Sequence, residues 1–319
     1  MKNSLLIVNL GTPAEPTTQA VKQYLKVFLS DPNVIQMPKW LWQPILNHII
    51  LPTRSWRSAT FYQHVWQPLG SPLMQYTQLQ AQQIQALLPD WQVSYAMTYG
   101  QPSIAGELHK LQNAGVDNIV VLPLFPQYST TTTKSIVDQV EATGIPTQII
   151  TDFYQHERYQ QLLAKTVANQ WDPDKYDQLL VSYHGIPSSY VRKGDPYLQQ
   201  CTDTTTNLMS LVPSLNRDNV TQVFQSKFGP MPWLKPYLRP TLQQLPVLGK
   251  RRVLIVAPSF MADCLETLEE ISVQGYQTFG SAGGELYDVV PSFNDSTDFS
   301  SFLAQLATDE VTHDCEKSL

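Results

Sequence analysis

"LLVSYHGIPSSY", residues 179–190, decides how the chain is read. Residues 179–183 form an apolar run too short for a helix. It closes on His184, and Gly185, Ile186 and Pro187 then turn the chain at once. Such a run reads as a buried strand that presents an imidazole at its carboxyl end. Seven similar runs repeat the pattern, separated by stretches of helical period. They lie at 5–10, 92–97, 118–125 and 147–151, then 221–225, 252–258 and 286–290. Buried parallel strands joined by crossover helices look like this, so an α/β chain is expected.

The two sets of four strands echo one another. Two similarly built α/β domains are therefore expected, 1–160 and 161–319, with the change-over somewhere in 153–170. The unusual residues gather where strands end: "NLGTP" after the first, "LFPQYS" after the third, "SYHGIP" after the fifth and "APSFMAD" after the seventh. In open α/β sheets the ligand crevice lies at that edge. One cleft shared by Leu10, Tyr128, His184 and Phe260 is the resulting expectation.

Composition narrows the function. The chain has 319 residues, 42% of them hydrophobic, which is enough to fill two cores. Its formal charge of −6, without any basic cluster, argues against nucleic acid as a partner. Cys201, Cys264 and Cys315 are odd in number and far apart, so neither a disulfide framework nor a thiolate metal cage is indicated. The apolar run 5–8 is too short for a signal segment, and a cytoplasmic protein is expected. The stretch "MPKWLWQPILNHIILP", 37–52, is broken by Lys39, Gln43, Asn47 and His48 and is too short to span a bilayer. It reads either as a core helix or as an exposed apolar lip through which Trp40, Leu41 and Trp42 would touch a greasy ligand or the membrane surface.

Two places carry candidate chemistry. A histidine after a strand is often merely hydrogen-bonded, yet at a strand's carboxyl edge His184 is suited to accept a proton or bind Fe²⁺. In "ADCLETLEEI", 262–271, Glu266 and Glu270 are four apart and share a helix face. By itself this is an ordinary helix start, with Asp263 and Glu266 in a capping-box pattern. A base opposite paired carboxylates, however, suits chemistry that handles a metal cation and protons together. No glycine-rich phosphate loop follows any strand, which disfavours a nucleotide-binding protein.

"YHGIP", "GDPY", "FQSKFGPMPWLKPY", "PSFMADCLETLEEI" and "GGELYDVVPSFN", together with "LLIVNLGTP", "YLKVFLSDPNVI", "GSPL" and "VVLPLFPQYSTTTT", resemble the ferrochelatases, and in particular their proteobacterial branch. The likeness runs from about residue 4 to about residue 297. It implies two Rossmann-like domains with an interdomain porphyrin cleft, and insertion of Fe²⁺ into protoporphyrin IX as the last step of haem biosynthesis. A related chelatase acting on coproporphyrin, or inserting another divalent metal, is the nearest alternative. A porphyrin-binding module without catalysis is a more distant one.

On this resemblance His184 and Glu266 match the family's essential histidine and glutamate, as catalytic and metal-handling residues, and Glu270 continues an acidic track. Leu10, Tyr128 and Phe260 match positions near the macrocycle, while Arg54, Arg57, Tyr62 and Ser71 match the region that meets the propionates. Fe²⁺ is implied as substrate, with no tightly bound cofactor. The solitary Cys315 in the C-terminal tail gives no set of thiolates for an iron–sulfur cluster. Thr98 and Lys227 stand where arginine is common among relatives.

Overall fold

The computed structural model describes residues 2–317, with side chains described through residue 312, so Cys315 lies outside the described side chains. The chain divides into two compact units, residues 1–152 with 294–319, and residues 153–293.

In the first unit, β1 (Asn3–Asn9), β2 (Trp91–Met97), β3 (Asn118–Pro123) and β4 (Gln148–Ile149) form a parallel sheet of order β2-β1-β3-β4. The apolar runs in β1 and β3 are nearly continuous because both faces of these strands are covered. On one face Leu6, Val8 and Val121 meet Ile104 and Leu108 of the helix Ile104–Asn113 and Ile136 of the helix Thr133–Glu141. Burying each such side chain contributes about 1.5–3 kcal/mol. The expected strand 147–151 contracts to two residues at the sheet edge, Gln148 and Ile149, which pair with Val120 and Val121 of β3.

The second unit repeats the order. β5 (Gln178–His184), β6 (Val220–Gln225), β7 (Arg252–Val256) and β8 (Leu286–Val289) lie parallel as β6-β5-β7-β8. Leu180, Val223, Val253 and Ile255 of this sheet pack with Ile271 and Phe279. The sequence-derived α/β class and its two parallel sheets are thus present.

Two expectations need correction. The tail does not stay with the second unit. After Phe293 the chain returns, and the helix Thr297–Lys317 packs on the helix Pro72–Leu87. Phe299, Phe302 and Leu303 are fully buried there. Gln80 Nε2 donates to the Asn294 carbonyl at 2.6 Å, and the Ser300 hydroxyl donates to Gln83 Oε1 at 2.7 Å. A linear division at 160 cannot anticipate such a return, because the partner of an apolar helix face is not written in its own residues.

The lip also divides. Lys39–Ile45, a π-helical turn at Leu46–Ile50 and the helix Leu51–Val65 follow one another without a break. Trp42 faces inward, 7% exposed, with Nε1 donating to the Leu29 carbonyl at 2.6 Å, and it packs with Leu46 and Leu51. Trp40 is 76% exposed, and Leu41, Ile49 and Trp56 are exposed as well. One face of this segment is therefore core and the other is apolar and exposed, and Trp42 leaves the lip. Among the described residues no helix is long and apolar enough to cross a membrane.

Candidate active site

β5 ends on His184, whose register partner across the β5–β6 ladder is Gln225. The next residue, Gly185, lies so close to that strand that a Cβ would stand 2.7 Å from the Gln225 carbonyl and 3.1 Å from the Trp233 ring. Only glycine lets the chain turn there while the imidazole stays at the strand end. His184 Nδ1 is 2.8 Å from the Gly185 carbonyl. A carbonyl can only accept, so this contact assigns the proton to Nδ1 and leaves the lone pair of a neutral ring on Nε2.

From β6 the chain continues into Ser226, a non-glycine residue with φ of +63°. That left-handed turn aims two donors at one carboxylate. Ser226 N–H donates to Glu270 Oε1 at 2.7 Å, and the Ser226 hydroxyl donates to Glu270 Oε2. Gln225 links the two strands to the same helix. Its Oε1 accepts from Ser182 at 2.7 Å, and its Nε2 donates to the Glu266 carbonyl at 3.1 Å and to Glu270 Oε2 at 3.4 Å.

Glu266 and Glu270 lie on a π-helix, Glu266–Gly275. Such helices are rare, mostly single turns, and concentrate at functional sites. Asp263, just before it, accepts from the hydroxyls of Thr267 at 2.9 Å and Ser292 at 3.1 Å. Burial pushes the Glu270 carboxyl above the ordinary carboxylate range, and the Glu266 charge adds to this. The Ser226 hydrogen bonds and the nearby His184 act the other way without cancelling it. The second unit alone therefore gathers an imidazole with a free nitrogen, a carboxyl that is easily protonated and a second glutamate. Among the described residues no three His, Cys, Asp or Glu side chains form a ready-made metal cage.

Phe260, after β7, packs half-buried against the core of this unit. The other expected contacts belong to the first unit. Leu10 follows β1 and packs against the cluster around Trp42, Leu46 and Leu51. Arg54, Arg57 and Tyr62 share the helix Leu51–Val65; the Arg57 guanidinium lies over the Phe61 ring at 5.6 Å, and Tyr62 is buried against Trp66. Ser71 is buried at the start of the helix Pro72–Leu87, and Tyr128 lies half-buried in the loop after β3.

The Thr98 hydroxyl donates to the Asn9 carbonyl at 3.0 Å. Lys227 lies over the Tyr237 ring at 5.3 Å. Gln225 and Ser226 were not singled out from the sequence. Their signal was available, since they are polar residues directly after an apolar strand, at the same edge as His184.

The ferrochelatase family model matches residues 2–311. The chain is 55% identical over 307 residues to the coproporphyrin III ferrochelatase of Lactiplantibacillus plantarum, covering 96% of this chain and 95% of that protein. It is 52% identical over 305 residues to the enzyme of the same name from Limosilactobacillus reuteri, covering 96% and 98%. For the one from Lactococcus lactis subsp. cremoris the figure is 45% over 306 residues, covering 96% of each. These relatives overturn the expected proteobacterial branch. Among solved structures, CbiX, the terminal enzyme of sirohaem biosynthesis in denitrifying bacteria, aligns with a TM-score of 0.51 at 16% identity, covering 95% of this chain and 96% of its own, a likeness of fold. With the family model spanning nearly the whole sequence and relatives above half identity, the chain belongs to the ferrochelatase family, the enzymes that insert a metal ion into a porphyrin.

Proposed function

We propose that this ferrochelatase inserts Fe²⁺ into coproporphyrin III, with His184 as the base and with Glu266 and Glu270 carrying protons and metal to and from it. The substrate reading draws on the names of the relatives, which give coproporphyrin III where protoporphyrin IX was first expected. Coproporphyrin carries propionates where protoporphyrin has vinyl groups. Arg54, Arg57, Tyr62 and Ser71 offer charged and hydroxyl donors of the kind that bind carboxylates.

The observation that carries the base assignment is the Nδ1 contact of His184 with the Gly185 carbonyl, which keeps the Nε2 lone pair available. As Fe²⁺ enters the ring, two pyrrole N–H bonds break and two N–Fe bonds take their place. In this reading His184 Nε2 receives the protons one at a time. Glu270, held by Ser226 and with its affinity for protons raised by burial, takes each one onward toward water. Glu266 supplies a second carboxylate beside it, and imidazole with carboxylate is an acceptable donor set for Fe²⁺ in transit. Phe260, Leu10 and Tyr128 are assigned to the faces of the macrocycle. Apolar walls that bend the ring expose a nitrogen lone pair, with the strain offset by binding of the remainder.

Anaerobic mixing of Fe²⁺ with coproporphyrin III or protoporphyrin IX, followed by loss of porphyrin fluorescence, tests both parts. The wild type should consume coproporphyrin III faster, and His184→Ala should bind it but turn over about 10²–10⁴-fold more slowly. Faster use of protoporphyrin IX would refute the substrate reading. Wild-type turnover by His184→Ala would refute the base assignment.

A further inference from the structure

The π-helix that carries Glu266 and Glu270 ends at Gly275, and an α-helix, Tyr276–Ser281, begins at the next residue. A change of register inside one helix leaves backbone groups without their regular partners, and a buried orphan carbonyl costs about 1–3 kcal/mol. Here the Tyr276 N–H turns to the Val273 carbonyl, three residues back. The Ile271 carbonyl takes the phenol of Tyr287, from β8, at 2.6 Å. The phenol reaches it through the place where residue 275 would have a side chain, because a Cβ on Gly275 would lie 2.0 Å from Tyr287 Oη.

Neighbouring groups hold the same arrangement. The Tyr287 ring is set edge-on to Tyr276 at 6.0 Å and tilted against Phe279 at 5.9 Å, so it has little room to swing. One turn earlier the Ser272 hydroxyl donates to the Thr267 carbonyl at 2.9 Å, a bond that spans the same five residues as a π-helical step. Burial, with the Glu270 charge nearby, pushes the Tyr287 phenol up and keeps it a donor.

Register matters for the two glutamates. In this register the Glu270 carboxylate meets both Ser226 donors. We propose that Tyr287 is a positioning residue: by bonding the Ile271 carbonyl across Gly275 it fixes where the π register ends and so holds the Glu270 carboxylate on the Ser226 donors. This rests on the reading of those glutamates given above, and its test separates the two.

The Ser226 amide, hydrogen-bonded to the Glu270 carboxylate, is the reporter. Tyr287→Phe keeps the ring and removes the hydroxyl. It should lower hydrogen-exchange protection of the Ser226 amide by about tenfold while amides in β5 stay protected. Its kcat should fall about tenfold, with KM for porphyrin within about twofold of wild type. Gly275→Ala, which displaces the phenol from the other side, should do the same. Undiminished Ser226 protection in both variants would overturn the proposal, whatever happens to kcat. Lost protection with wild-type kcat would uphold the positioning role and refute the catalytic use of Glu270. If Tyr287→Phe fails to fold, Gly275→Ala alone decides by the same reporter.

Discussion

His184 and Gln225 are direct register partners at the carboxyl end of the β5–β6 ladder, and Gln225 reaches from there to both the Glu266 carbonyl and the Glu270 carboxylate. One amide thus ties the strand that presents the imidazole to the helix that presents the carboxylates. Gln225→Leu would orphan the Glu266 carbonyl and the Ser182 hydroxyl in a buried setting. It should destabilise the fold by about 1–3 kcal/mol in urea titrations. Turnover should fall about 10–100-fold, the usual cost of losing the support of a reacting group. Wild-type turnover would show that the amide packs but does not position.

The buried carboxyl of Glu270 makes a signed prediction. Its affinity for protons is raised on folding, so between the ordinary carboxylate pKa and the raised value the native chain binds more protons than the unfolded one. Stability then falls as pH rises through that window, and at low pH there is no penalty. Glu270→Gln removes the ionisation. Denaturant unfolding at a series of pH values should show the variant gaining on wild type as pH increases across the window. A stability difference that is flat with pH would contradict the raised affinity.

Two neighbouring tryptophans should respond in opposite ways. Trp42→Ala removes a buried ring and leaves the Leu29 carbonyl without its donor, so it should cost about 3–5 kcal/mol. Trp40→Ala, on the exposed face, should change stability by no more than about 0.5 kcal/mol. Thermal melts of the two variants check this. The same Trp40 variant, with Leu41→Ser, tests the lip: co-sedimentation of wild type with anionic lipid vesicles should disappear in it. If wild type does not sediment with vesicles, peripheral membrane contact is refuted.

Arg57 is exposed, and its guanidinium lies over the Phe61 ring. If it meets a propionate of the substrate, Arg57→Ala should raise the Kd for coproporphyrin III through loss of a charge-assisted hydrogen bond, about 1.5–3 kcal/mol or about 10–100-fold. Fluorescence titration measures it. An unchanged Kd would remove Arg57 from the binding set.

Much of this protein is legible in its residues. The continuous apolar runs of β1, β3, β5 and β7 specify strands covered on both faces, and glycine and proline punctuation specifies where they stop. His184 stood out because a buried strand ends on it, and the acidic pair stood out because its members are four apart. These are local properties, governed by backbone sterics and the periodicity of side-chain burial.

Other features depend on groups distant in sequence. The helix Thr297–Lys317 belongs to the first unit because its apolar face finds the helix Pro72–Leu87, and burial has no memory of chain order. Trp42 is core and Trp40 is surface because Trp42 alone of the two packs into the cluster of Tyr24, Leu29, Val34, Leu46 and Leu51. The segment after Leu265 reads as an α-helix from its periodicity. It becomes a π-helix where Tyr287, from a strand beyond it, occupies the space left by Gly275 and satisfies the Ile271 carbonyl. Propensity differences among ordinary residues are tenths of a kcal/mol, below the cost of an orphaned buried carbonyl, so tertiary packing sets the register and, with it, the direction in which the glutamates face.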